Sequence, residues 1–153
     1  MYSPISCIGS PGQSGNLNSI YIGAALEDRY KALSDIYSLC RTNRKFSLNA
    51  FRLNDMAPKG FNWAQNTQQN VDRADSALLY LSANYLKSPY CIQELNIVSS
   101  SGLPMVVVSF EECKLPDWSM NMTRKSWIVQ RQSTPTSTYY DRLSQVLSET
   151  TMS

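Results

Sequence analysis

The chain has 153 residues, 42% hydrophobic and 17% charged, with fourteen basic side chains against twelve acidic ones. That length encloses one sizeable core, and the composition is that of an ordinary globular domain. With a net charge of +2 and no basic cluster larger than Arg41, Arg44 and Lys45, a dedicated nucleic-acid or membrane-surface binder is excluded.

Residues 1–18 are rich in Ser, Gly, Pro and Asn, show no hydrophobic period and read as a flexible leader. Gly9, Gly12 and Gly15 do not make a phosphate loop, since no strand precedes them and no Lys-Ser/Thr follows. Residues 19–24 are a predicted short strand. After it, Tyr30, Leu33, Ile36, Tyr37 and Cys40 recur at helical spacing, with Glu27 and Asp28 in the first turn. Residues 46–53 alternate well enough for a second strand, and residues 54–62 carry the turn residues of a loop. Trp63, Thr67, Val71 and Ala74 then space out a second helix, polar outside through Gln68, Gln69 and Asp72.

The next stretch is the densest in signals. Leu78-Leu79-Tyr80-Leu81 is an apolar run of strand length, small polar residues follow, and a helix starts at Ser88-Pro89, a good N-cap before a proline at the first helical position. On that helix Cys91, Leu95 and Val98 form a core face, while Tyr90 and Glu94, four apart, are expected on an adjoining face aimed at the preceding loop. Residues 104–110 are almost continuously apolar and β-branched, as a central strand covered on both faces should be. Residues 111–125 read as a long loop and residues 126–130 as a last strand. Thr138-x-x-Asp141 resembles a capping box opening a final helix with Tyr139 or Tyr140, Leu143, Val146 and Leu147 on one side.

Strands alternating with helices predict an α/β three-layer sandwich of the flavodoxin-like type, a five-stranded parallel sheet of order 2-1-3-4-5 with helices on both faces. The expected organisation is a leader over 1–18, one domain over 19–149 and a tail over 150–153. In such a sheet the ligand crevice opens beyond the carboxyl ends of the strands where their order reverses, here between strands one and three.

Ser82, Tyr85, Ser88, Tyr90, Cys91, Glu94 and Leu95 reproduce a segment of the type Ser-x-x-Tyr-x-x-Ser-x-(Trp/Tyr)-Cys-x-x-Glu-Leu, and in this the chain resembles the Toll/interleukin receptor (TIR) domain. The resemblance implies the same fold and extends, more weakly, from about residue 19 to about residue 147. It implies that Glu94 is the catalytic residue of an NAD-cleaving enzyme of the stand-alone microbial type, and that the loop at 55–62, with Pro58 and Gly60, is the exposed loop after the second strand. The first strand departs from the family pattern. Where relatives have a hydroxyl-bearing Phe-Ile-Ser-Tyr-Ser, this chain has Ile22-Gly23-Ala24-Ala25-Leu26.

The absence of histidine removes Ser-His-Asp and Cys-His catalysis and His-containing metal sites, leaving acid–base work to carboxylates. No metal site and no cofactor is expected, with NAD as substrate. Cleaving the ribose C1′–N bond of NAD releases neutral nicotinamide without a general acid; the demand is to stabilise an oxocarbenium-like sugar, which one fixed carboxylate can lower by roughly 3–4 kcal/mol. Gly23, Ala24 and Leu26 are expected along one side of the crevice, and Ser82, Tyr85, Tyr90 and Glu94 along the other, with Tyr90 stacking on a flat ring. Lys59 is a candidate phosphate contact, though a lone loop lysine is ordinarily only solvated, and Trp63 is more readily a helix anchor than a nucleotide platform. Glu94 itself has a bland alternative as a solvated residue complementing the helix dipole, and Tyr85 and Tyr90 as packing aromatics. A receiver domain lacks its acidic strand ends here, and a flavodoxin its phosphate loop.

Four cysteines without a Cys-x-x-Cys pair, no signal peptide and no long apolar span indicate a cytoplasmic protein. The leading expectation is an NAD glycohydrolase or cyclase forming ADP-ribose or a cyclic ADP-ribose-type signal in immune or anti-phage defence, with a separate effector protein sensing the product. Assembly into a homo-oligomer through the 55–62 loop is implied by the resemblance. The alternatives are a non-catalytic TIR adaptor acting by self-association and a nucleoside-processing transferase.

Overall fold

Along three of its strands the chain alternates large apolar side chains so that both faces of a sheet must be covered, and both are. The computed structural model describes residues 19–53, 63–110 and 126–152. Strands β1 (Ile20–Gly23), β2 (Phe51–Leu53), β3 (Ser76–Leu81), β4 (Met105–Phe110) and β5 (Ser126–Arg131) form one parallel sheet in the order β2-β1-β3-β4-β5. The helices are α1 (Arg29–Thr42), α2 (Trp63–Asp72), α3 (Ala83–Lys87), α4 (Pro89–Ser101) and α5 (Ser137–Met152). This is the expected flavodoxin-like arrangement.

Ile20, Ile22, Leu78, Tyr80, Val106, Val108 and Phe110 pack on one face against Ala32, Ile36 and Leu39 of α1 and Tyr139, Leu143, Val146 and Leu147 of α5. Tyr21, Ala77, Leu79, Leu81, Met105 and Val107 pack on the other against Trp63 and Val71 of α2, Tyr85 of α3, and Cys91, Leu95 and Val98 of α4. The register pairs Gly23 with Leu79 and Tyr21 with Ala77. The side chains of Tyr21, Ala77 and Leu79 all lie on the α2–α4 face.

Four expectations need correction. The apolar spacing of Tyr30, Leu33 and Tyr37 does not lie on the core face of α1: Tyr30 is 87% exposed and the other two are exposed as well, while Ala32, Asp35, Ile36 and Leu39 are buried. The helix turns a carboxylate inward because Arg131 of β5 meets it, with Nε at 2.9 Å from Oδ2 and Nη2 at 3.1 Å from Oδ1. The hydroxyls of Tyr80 and Tyr139 donate to the same carboxylate at 3.0 and 2.7 Å.

The second strand holds only residues 51–53; residues 48–50 form a 3-10 turn whose Ser47 hydroxyl accepts from the Asn49 amide, and Phe46 packs on Phe51 instead of alternating beside it. The polar link after β3 contains a five-residue helix, α3, capped by Ser82, whose hydroxyl accepts from the Tyr85 amide at 3.1 Å. Finally, α5 starts earlier than Thr138: the hydroxyl of Thr136 accepts from the Tyr139 amide, and the helix continues through Met152 with Thr150 buried.

Candidate active site

The strand order reverses between β1 and β3, and there a cleft of about 270 Å³ opens at the carboxyl edge of the sheet, lined by Ala25, Leu26, Glu27, Asn84, Lys87, Ser88 and Tyr90. One wall is the connection from β1 to α1. The other is the α3–α4 junction, where the Ser88 hydroxyl caps α4 by accepting from the Cys91 amide at 3.3 Å and Pro89 sits in the first turn. Ser82 ties the two walls together: its hydroxyl donates to the buried carboxylate of Asp28.

Glu94 lies behind this cleft, not in it. Its residue is 0% exposed, and its carboxylate is tucked against the last residue of β1. A Cβ on Gly23 would collide with Oε1 of Glu94 and stand 2.6 Å from Cδ2 of Leu79, so only glycine permits this approach. Each carboxylate oxygen receives one phenol: Tyr85 donates to Oε1 at 2.9 Å and Tyr21 to Oε2 at 2.5 Å. Burial, and after it the charge and hydrogen bond of Glu94, hold the pKa of both tyrosines above the ordinary value, so both stay protonated donors. Burial also pushes the Cys91 thiol up to about 11, leaving it an inert neutral core group at neutral pH.

The sequence-predicted residues therefore separate into two layers. Gly23, Ala24, Ser82, Tyr85 and Glu94 are all buried, whereas Leu26 and Tyr90 are exposed and line the cleft. The shared face expected for Tyr90 and Glu94 does not exist: Tyr90, 41% exposed, turns outward and makes an edge-type contact with Trp63, ring centroids 5.3 Å apart, while Glu94 turns in. Helix α4 is covered on two sides, by the sheet and by α2, which widens its buried face beyond Cys91, Leu95 and Val98. Trp63 is buried, as an anchor of α2, and its indole Nε1 has no hydrogen-bond partner among the described residues. Lys59 and the rest of the 55–62 loop lie outside the described residues, as do the 1–18 leader and residues 111–125.

No motif or spacing in the sequence singles out Tyr21. Strand alternation puts it on the face opposite Ile20 and Ile22, which is the only signal residues 19–24 carry for it. Its pairing with Glu94 joins residues 73 apart.

The family model for the TIR domain matches residues 20–147, nearly all of the described chain. The chain is a TIR domain. No curated protein matches it in sequence. Among solved structures, the TIR domain of the Toll-related receptor TRR-2 from Hydra magnipapillata is 20% identical, with a TM-score of 0.53 over 71% of this chain and 82% of that one. The CMP N-glycosidase BcmB of Clostridium botulinum is 11% identical, with a TM-score of 0.58 over 84% of this chain and 98% of that one. At these identities the likeness is one of fold. Among the described residues, this TIR domain has no helix long and apolar enough to cross a membrane.

Proposed function

We propose that this TIR domain is an N-ribosyl hydrolase or cyclase acting on NAD, with Glu94 as the carboxylate that stabilises the sugar cation. The observation that carries this reading is a fully buried carboxylate, hydrogen-bonded by two phenols and set against the end of β1, on the helix whose start lines the cleft at the switch point of the sheet. Burying a carboxylate costs several kcal/mol before it is repaid by hydrogen bonds, and such groups concentrate where chemistry needs them. The chemistry asked of it is modest. The C1′–N bond breaks with its electron pair leaving on nicotinamide, the carboxylate faces the cationic C1′, and water or an adenine nitrogen then adds there and gives a proton to solvent.

Access is the remaining requirement. Glu94 is fully buried, and its Oε1 is held by Tyr85 on α3, a helix of only five residues held by the Ser82 cap and the Ser82–Asp28 hydrogen bond. Substrate entry displaces α3, and the sugar hydroxyls take over the contact that the Tyr85 hydroxyl makes at rest. By this reading Tyr90 and Lys87, which line the cleft, receive a flat ring and an anionic phosphate. The product, by this reading, is an ADP-ribose-type signal sensed by a separate effector.

Purified protein is to be mixed with NAD over a wide range of protein concentration and nicotinamide measured, with CMP in parallel because a structural neighbour carries that substrate in its name. Nicotinamide release that falls about 10²- to 10³-fold in Glu94→Gln supports the proposal. No release at any concentration, or full activity in Glu94→Gln, removes it, and cytosine release from CMP instead would favour the nucleoside-processing alternative.

Self-association without catalysis is a second reading, favoured by the exposed stripe of Tyr30, Leu33 and Tyr37 along α1, with exposed Leu26 in the 3-10 turn before it. Concentration-independent sedimentation would count against it. The homo-oligomer contact through the 55–62 loop remains a proposal of the family resemblance.

A further inference from the structure

The two phenols on Glu94 have different anchors. Tyr85 belongs to a five-residue helix nine residues before Glu94. Tyr21 stands in β1, which pairs with β2 on one side and β3 on the other, opposite Arg52 and Ala77, and its ring is buried between the sheet and the α2–α4 layer. Its hydroxyl meets Oε2 at 2.5 Å, within the short range of hydrogen bonds to charged acceptors. Desolvation first, then Glu94, raises the pKa of Tyr21 far above the ordinary tyrosine value, so the hydroxyl donates throughout the pH range of the folded protein. Oε1, by contrast, lies toward Gly23 and is bonded to the phenol of the short helix.

We propose that Tyr21 is a positioning residue for Glu94: its hydroxyl fixes Oε2 to the sheet and favours the ionised carboxylate, leaving Oε1 as the oxygen presented to a sugar. This rests on the reading of Glu94 as the reacting carboxylate. A hydrogen bond donated to the charged form stabilises that form, and a donor carried by a paired central strand costs nothing to reorganise. Among the described residues, the titratable groups that face Glu94 include Tyr21 from β1, Tyr85 from α3 and Cys91 on its own helix, with Glu27 and Asp28 near Cys91 from the connection before α1. Helix α2 turns Trp63, Thr67 and Val71 inward, none of which titrates.

Two measurements test this on the full chain. In the NAD assay, Tyr21→Phe is expected to lower kcat by at least about tenfold with KM changed less than about threefold, and to lower it more than Tyr85→Phe does. Unchanged kcat in Tyr21→Phe, a change confined to KM, or a larger loss in Tyr85→Phe overturns the positioning role. The second readout needs no activity: in protein carrying ¹³C-carboxyl glutamate, the Glu94 signal is assigned by its loss in Glu94→Gln and followed with pH. Its midpoint is expected to move up in Tyr21→Phe, because the charged form loses a donated hydrogen bond. An unmoved midpoint overturns the proposal even if wild-type protein cleaves NAD, and a moved one upholds the hold on the carboxylate even if it does not.

Discussion

Two carboxylates, one on each face of the sheet, carry most of what is unusual here at the scale of single residues. Asp35 is matched by a guanidinium, two-pronged from Arg131 at 2.9 and 3.1 Å, with the hydroxyls of Tyr80, Tyr139 and Tyr140 also donating to it. Removing the acid alone strands a buried cation, so Asp35→Ala is expected to lower unfolding free energy by about 3–5 kcal/mol, and Asp35→Leu with Arg131→Met to recover much of it. Urea titration of both variants reads this directly. Glu94 is met by phenols and by a backbone bare of Cβ at Gly23. For Gly23→Ala the added methyl must displace Glu94 or Leu79, at a cost of about 1–3 kcal/mol in the same titration, together with loss of any NAD cleavage. A mutant as stable and active as wild type would show that the carboxylate does not sit against β1.

At the scale of elements, the α3–α4 junction depends on two serine caps of unequal weight. Ser88 caps α4 ahead of a proline that already favours a helix start, so Ser88→Ala is expected to cost about 1 kcal/mol. Ser82 caps α3 and also donates to buried Asp28, and its removal takes a hydrogen bond from a buried acid as well as a cap. Ser82→Ala is therefore expected to cost about 2–3 kcal/mol, more than Ser88→Ala, with both measured by thermal or urea unfolding. Helix α1 makes the opposite kind of prediction. Tyr30 and Tyr37 are exposed, so Tyr30→Ser with Tyr37→Ser should leave stability within about 0.5 kcal/mol while reducing any concentration-dependent association seen by sedimentation.

For the whole molecule, alkaline pH is the weak side. Burial raises the pKa of Tyr21, Tyr80, Tyr85 and Tyr139, with the carboxylate of Glu94 or Asp35 adding to it. These acids are protonated when folded and ionise near pH 10 once unfolded, so the unfolded chain binds fewer protons and stability falls as pH rises through that value. Cys91, pushed up to about 11, adds to the loss from about pH 9 upward. Above pH 10 the four tyrosines together give a slope approaching about 5 kcal/mol per pH unit. Urea midpoints between pH 8 and 11 should be flat to pH 9 and then drop steeply; a flat profile to pH 11 would mean the phenols are not buried.

Sequence alone determined the architecture and the neighbourhood of the site. The runs at Leu78-Leu81 and 104–110, the Ser88-Pro89 start and the spacing of Cys91, Leu95 and Val98 are local signals, because strand burial, N-capping and helical periodicity each act within a few residues. The motif likewise singles out Glu94 and Tyr85. Whether Glu94 faced the cleft or the core was not a local matter. It depended on α2 covering α4, on a missing side chain at Gly23, and on the Tyr21 hydroxyl 73 residues away. In the same way the inward turn of Asp35 was settled by Arg131, 96 residues on. A lone carboxylate reads as solvated along the chain, and only the partners that tertiary folding brings to it make its burial affordable.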